Sequence, residues 1–168
     1  MTLDIFIEGY DESFSCRYSG FGYFRWQILN GWNQELGRLY HQKFGFLWGR
    51  NDNSFGLGLL NLLRFSGKFG GNIDEEERMN QILEEYDRPY NEGMKLFFHH
   101  SDCDGEINPS ESELLLKSFG RVDPEKFDKS DEDDYEFVVN GFRTWKKMLT
   151  YSIENGKSIL FGSKLSLF

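Results

Sequence analysis

One stretch of twelve residues carries metal-ligand types at a regular spacing: His100-Ser101-Asp102-Cys103-Asp104-Gly105-Glu106-Ile107-Asn108-Pro109-Ser110-Glu111. A calcium loop of this length presents oxygens from positions 1, 3, 5, 7, 9 and 12, and it needs glycine at position 6 for a sharp turn. Asp102, Asp104, Gly105 and Glu111 fall at positions 3, 5, 6 and 12. Glu106 at position 7 would offer its backbone carbonyl, and Asn108 at position 9 would reach the ion or a bound water. Ile107 falls at position 8, where such loops turn an aliphatic side chain towards the core. The chemistry implied is capture of a hard cation, Ca2+ first, by His100, Asp102, Asp104, Glu106, Asn108 and Glu111.

The departure from the EF-hand pattern is at position 1, where His100 replaces the usual aspartate. A hard cation prefers oxygen, so this exchange should lower calcium affinity. A softer metal would accept His100, with Cys103 as a further donor, although position 4 should point away in such a loop. The same residues also spell the start of a helix, with Asn108 as cap, Pro109 first and Glu111 third. On that reading Asp102 and Asp104 shape a turn through side-chain-to-backbone hydrogen bonds, and Gly105 takes a positive φ. Both readings stand on the sequence alone.

Other constellations carry less. His99, His100 and Cys103 suggest a Cys/His nucleophile pair, but adjacent histidines project in different directions and no orienting third group is at hand. His41 reads as a surface residue. The fragments Gly56-Leu57-Gly58 and Gly67-Lys68 lack the third glycine, the preceding strand and the Lys-Ser/Thr ending of phosphate loops. An enzyme would need a pocket between the Tyr18–Arg25 turn and the segment 99–106, two regions far apart in the chain.

The chain has 168 residues, 17% aromatic with 17 phenylalanines, enough to bury a core without disulfides or metal. Met1–Glu8 has no basic start and no long apolar run, and no stretch approaches a membrane span, so cytoplasm is the expected compartment. Two cysteines, Cys16 and Cys103, suit a reducing environment. Charge is uneven: residues 1–72 hold 7 Lys/Arg and 6 Asp/Glu, while residues 73–168 hold 12 and 22. A net charge of −9 opposes direct nucleic-acid binding. The acidic half is either a solvated surface or a face for a basic partner. In the second case Glu84, Glu85, Asp131, Glu132, Asp133 and Asp134 would carry the contact.

The elements expected to position these groups are those of a single α+β domain spanning 1–168. It is mostly helical, with a small antiparallel sheet formed by N- and C-terminal strands. Leu3–Ile7 and Phe14–Tyr18 read as strands, and Ser158–Phe161 as the last one, paired with the first. Phe21, Phe24, Ile28, Trp32, Leu36 and Leu39 form one helical stripe. Leu57–Phe65 could be a buried helix. Asp74 should cap a helix with Met79, Ile82, Leu83 and Tyr86 inside, and Pro89 should open another through Met94 and Phe97. A helix from Pro109 to Phe119 follows, then a charged linker 121–134 with a mobile tip. Tyr135, Val138, Phe142, Trp145, Leu149 and Ile153 mark the last helix, ended by Asn155-Gly156.

Two segments carry a resemblance. Tyr18-Ser19-Gly20-Phe21-Gly22-Tyr23-Phe24-Arg25 and His100-Ser101-Asp102-Cys103-Asp104-Gly105-Glu106 resemble the YSGFxxFR and HSDCDGE motifs of a family of small, uncharacterised bacterial and phage proteins. Those proteins often have cysteine where this chain has Ser112. The resemblance implies a shared order of elements and a bacterial or phage setting rather than an activity. With the charge asymmetry, it leads to the expectation of a non-enzymatic acidic protein that binds a basic partner. A phage-type inhibitor covering the nucleic-acid-binding surface of a host protein is the specific form. A calcium- or metal-binding module on residues 100–111 and an enzyme using the 18–25 and 99–106 segments are the alternatives.

Overall fold

The computed structural model describes residues 2–44, 73–100 and 105–162. The glycine fragments at 56–58 and 67–68, the segment Leu57–Phe65, and Asp102, Cys103 and Asp104 lie outside the described residues.

Strand β1 (Thr2–Phe6) is central, with β2 (Phe14–Arg17) on one side and β4 (Ile159–Gly162) on the other; β3 (Glu106–Ile107) completes the order β2-β1-β4-β3. All three pairings are antiparallel, which makes the fold α+β as expected. Alternation sets the faces. Leu3 and Ile5 are fully buried, and Ile5 stands opposite Phe14 and Phe161. Asp4 points to the other face, where its carboxylate accepts a hydrogen bond from Ser15 Oγ.

The stripe from Phe21 to Leu39 is not one helix. Helix α1 (Tyr18–Trp32) starts directly after β2 and ends at Asn33, and α2 (Gln34–Phe44) follows. Asn33 is extended (φ −153°, ψ 114°); its amide hydrogen-bonds the Leu29 carbonyl, while its Oδ1 accepts from Leu36 N at 3.0 Å. One residue thus ends the first helix and caps the second.

Helix α3 (Ile73–Glu84) begins one residue ahead of the expected Asp74 cap and buries Ile82. Helix α4 (Arg88–His99) carries Pro89 in its first turn and buries Met94 and Phe97. Helix α5 (Pro109–Phe119) matches the expected position; helix α6 (Glu132–Asn155) begins three residues inside the expected linker, and Gly156 closes it at φ 63°. The buried side chains form one cluster around Trp145.

The linker is shorter than expected, 121–131, and it is anchored to the body of the protein. It holds a short 3-10 turn (Pro124–Lys126), buries Val122 and Phe127, and lies along α1. Asp123 N donates to the Gly31 carbonyl (2.9 Å), Asn30 Nδ2 to the Lys126 carbonyl (2.6 Å), and Asp128 N to Gln27 Oε1 (2.9 Å). No described helix is long and apolar enough to cross a membrane.

Candidate functional site

Helices α4 and α5 pack closely on one another, and His100, Gly105, Glu106, Ile107 and Asn108 are the described residues between them. Gly105 has φ 99°, and Ile107 is fully buried at the eighth loop position. Ile107 reaches the core because β3 pairs with β4, Ile107 opposite Ile159 and Glu106 opposite Leu160; Phe161 N also donates to the Gly105 carbonyl at 3.0 Å. Among the expected ligands, Asn108 and Glu111 hold each other. Asn108 Oδ1 accepts from Glu111 N, and Glu111 Oε2 accepts from Asn108 N, both at 2.9 Å, which is a capping box. Asn108→Ala should therefore cost about 1 kcal/mol and lower the melting temperature by about 2–4 °C, read by thermal circular dichroism. No loss would mean that the box contributes nothing in solution.

His100 is half-buried. Its ring stacks on Phe161 with centroids 4.0 Å apart, and its Nε2 lies 3.2 Å from the Glu106 carbonyl oxygen. That carbonyl is the oxygen a cation would use at position 7. The ring also lies over Gly105, where an added Cβ would touch Cε1 at 3.4 Å. The 18–25 segment, expected as a strand-to-helix turn and as one side of a pocket only on the enzyme alternative, forms the first two turns of α1. Tyr18 is buried, and Arg25 is 1% exposed.

Arg25 does meet the loop. Its Nη2 donates to the His100 carbonyl at 2.8 Å, and its guanidinium lies 4.4 Å from the centroid of Phe21 and 5.5 Å from that of Phe97. The two resembling motifs thus join through a buried side chain and a backbone carbonyl. His99 ends α4, His41 is exposed beside Trp26, and Ser112 bonds Ser152 inside the core at 2.9 Å.

The expected partner-binding acids fall on different elements. Glu84 and Glu85 are exposed at the end of α3, which packs on α2 and α4. Asp131 caps α6 through Asp134 N, with Glu132, Asp133 and Asp134 in its first turn, where the helix dipole partly offsets their charge.

Here the structure adds residues that periodicity missed. Half-buried Tyr23 and Trp26 pack edge to face at 5.3 Å on α1. Buried Gln27 donates to the Tyr23 hydroxyl (2.9 Å) and accepts from Asp128 N. Burial pushes the Tyr23 hydroxyl above its usual range, the Gln27 bond opposes this, and the carboxylates of Asp134, Asp128 and Asp131 raise it further. Gln27 thus ties the backbone of Asp128 to the Tyr23 hydroxyl. Residues spaced four and three apart off the apolar stripe of α1 were the only sequence signal for that aromatic pair.

Protein-family models, curated proteins and solved structures offer no match to this chain.

Proposed function

We propose that the protein is a non-enzymatic binding protein whose acidic–aromatic face receives a basic protein segment. The observation that carries this reading is the Gln27 bridge, which donates to the Tyr23 hydroxyl and accepts from Asp128 N, and so sets the acidic stretch that starts at Asp123 beside Tyr23 and Trp26. Carboxylates attract arginine and lysine at a distance, and aromatic faces hold their cationic ends at contact. Residues 123–134 carry seven carboxylates against Lys126 and Lys129, and Lys129 is already paired with Glu125 at 2.8 Å. A partner with a nucleic-acid-binding surface has the matching charge. The resemblance to small bacterial and phage proteins suggests a host protein of that kind, whose surface this face would cover.

An arginine- and lysine-rich peptide of about twelve residues provides the test, with binding followed by fluorescence anisotropy. Affinity should fall about tenfold or more between roughly 20 and 200 mM salt, because exposed charges are screened over about 8 Å at physiological ionic strength. Asp128→Asn, Asp131→Asn and Asp134→Asn together keep the side-chain oxygens that accept from Ser130 N and Asp134 N. That triple variant should weaken binding about tenfold at low salt, mostly through slower association. Glu84→Gln with Glu85→Gln, on another element, should change it less than about twofold. Binding that ignores both salt and the triple change would remove this function.

A further inference from the structure

The exposed residues Asp133, Glu136, Asn140, Arg143 and Lys147 follow one another along α6 at steps of three and four, so they share one outer face of the helix. Charge changes sign along that face at Asn140, with two acids before it and two bases after it. The helix dipole accounts for the acids, which stand near its start. It does not account for the bases. They lie in the middle of the helix, while the last turn carries no base and exposes Glu154. Contacts within the chain use little of this charge. Among the described residues no cation is paired with Asp133 or Glu136. Lys147 Nζ reaches Glu12 at 2.7 Å yet its side chain stays 51% exposed, and Arg143 Nη1 donates to Asn140 Oδ1 at 3.3 Å.

We propose that this face pairs with a second copy of the chain, α6 against α6, antiparallel about a two-fold axis at Asn140. Asp133 then faces Lys147 of the other copy, Glu136 faces Arg143 of the other copy, and the two Asn140 side chains meet on the axis. A two-fold interface must be self-complementary, and each of these contacts occurs twice. Parallel pairing would set like charges against each other, so the sign pattern selects the antiparallel arrangement. The side chains keep much of their water, and such ion pairs are individually weak and easily screened. The dimer is therefore one that forms with rising protein concentration and dissociates in salt.

Sedimentation velocity on the full chain, at about 10–500 μM, should show a monomer–dimer equilibrium in about 20 mM NaCl and monomer alone in about 500 mM. Arg143→Glu with Lys147→Glu should weaken dimerisation at least about tenfold, and so should Asp133→Lys with Glu136→Lys. Mixed one to one, the two double variants should dimerise again, because every facing pair is then of opposite sign. A wild type that is monomeric at the highest concentration in low salt, or a mixture that stays monomeric, overturns the proposal. Should a double variant fail to fold, cross-linking with oxidised glutathione decides. Asn140→Cys should form a disulfide with its own copy. Thr150→Cys should not, since at 1.5 Å per residue it lies about 30 Å from its counterpart. Equal yields at the two positions, or none at Asn140→Cys, refute the pairing.

Discussion

Trp145→Ala should destabilise the protein by about 3–5 kcal/mol and lower its melting temperature by about 6–20 °C. The ring is fully buried. Its centroid lies 5.4 Å from Phe97, 6.1 Å from Phe161, and 6.3 Å from each of Phe14, Phe21 and Phe119. It therefore joins α6 to α1, α4, α5, β2 and β4, and truncation opens a cavity that none of these can close alone. The indole nitrogen is buried and has no hydrogen-bond partner among the described residues. Trp145→Phe thus gives up volume without breaking a bond and should cost only about 1–2 kcal/mol. Thermal or urea unfolding reads both. Equal losses for the two variants would mean that the nitrogen, rather than ring volume, matters at this position.

Gly93→Ala should destabilise by about 1–3 kcal/mol, although in an exposed helix the same change stabilises by about 1 kcal/mol. The reversal comes from the α4–α5 crossing. A Cβ on Gly93 would stand 2.8 Å from the Leu114 carbonyl carbon and would collide with the carbonyl oxygen and with Ser118 Oγ. Ser118 has little room to yield, because its hydroxyl donates to the Tyr90 carbonyl at 2.8 Å across the crossing. The helices must separate, and both ends of the 100–111 loop move with them. Loss of stability together with changed chemical shifts at His100 and Glu106 is the expected result. A melting temperature above that of wild type would mean the crossing is looser than described.

Much of the fold was legible because its signals are local. The α6 stripe, the alternation of β1 and the Asn108-Pro109-Glu111 helix start each depend on spacing within a few residues. The break at Asn33 was hidden because Trp32 to Leu36 is a step of four, the same step a continuous helix would take. Only the capping chemistry of Asn33 distinguishes the two. The ordered linker escaped notice because its anchors, Gln27, Asn30 and Gly31, lie about a hundred residues earlier.

The candidate site divides in the same way. The loop spacing was visible, and so was the capping box that occupies Asn108 and Glu111. The carbonyl that His100 faces, the ring beneath it and the buried arginine behind it are tertiary facts. Arg25 read as part of the lining of a strand-to-helix turn, because a charged side chain is rarely so buried. Its stacking on Phe21 and Phe97 makes that burial tolerable.

The sheet order has a consequence for the newly made chain. β1 and β2 can pair within microseconds as a hairpin, but the other edge of β1 is completed by β4, whose Phe161 stands opposite Ile5. Ribosomes add about 5–20 residues per second, so about 8–30 s separate the synthesis of these two strands. Throughout that interval the hairpin offers an open backbone edge beside Leu3 and Ile5, the kind of surface that invites chaperones or misassociation. Closing so long a loop is also entropically slow. A nascent chain arrested before Ile159 should therefore stay sensitive to protease through β1, and protection should arrive in one step when Ile159–Gly162 leaves the exit tunnel.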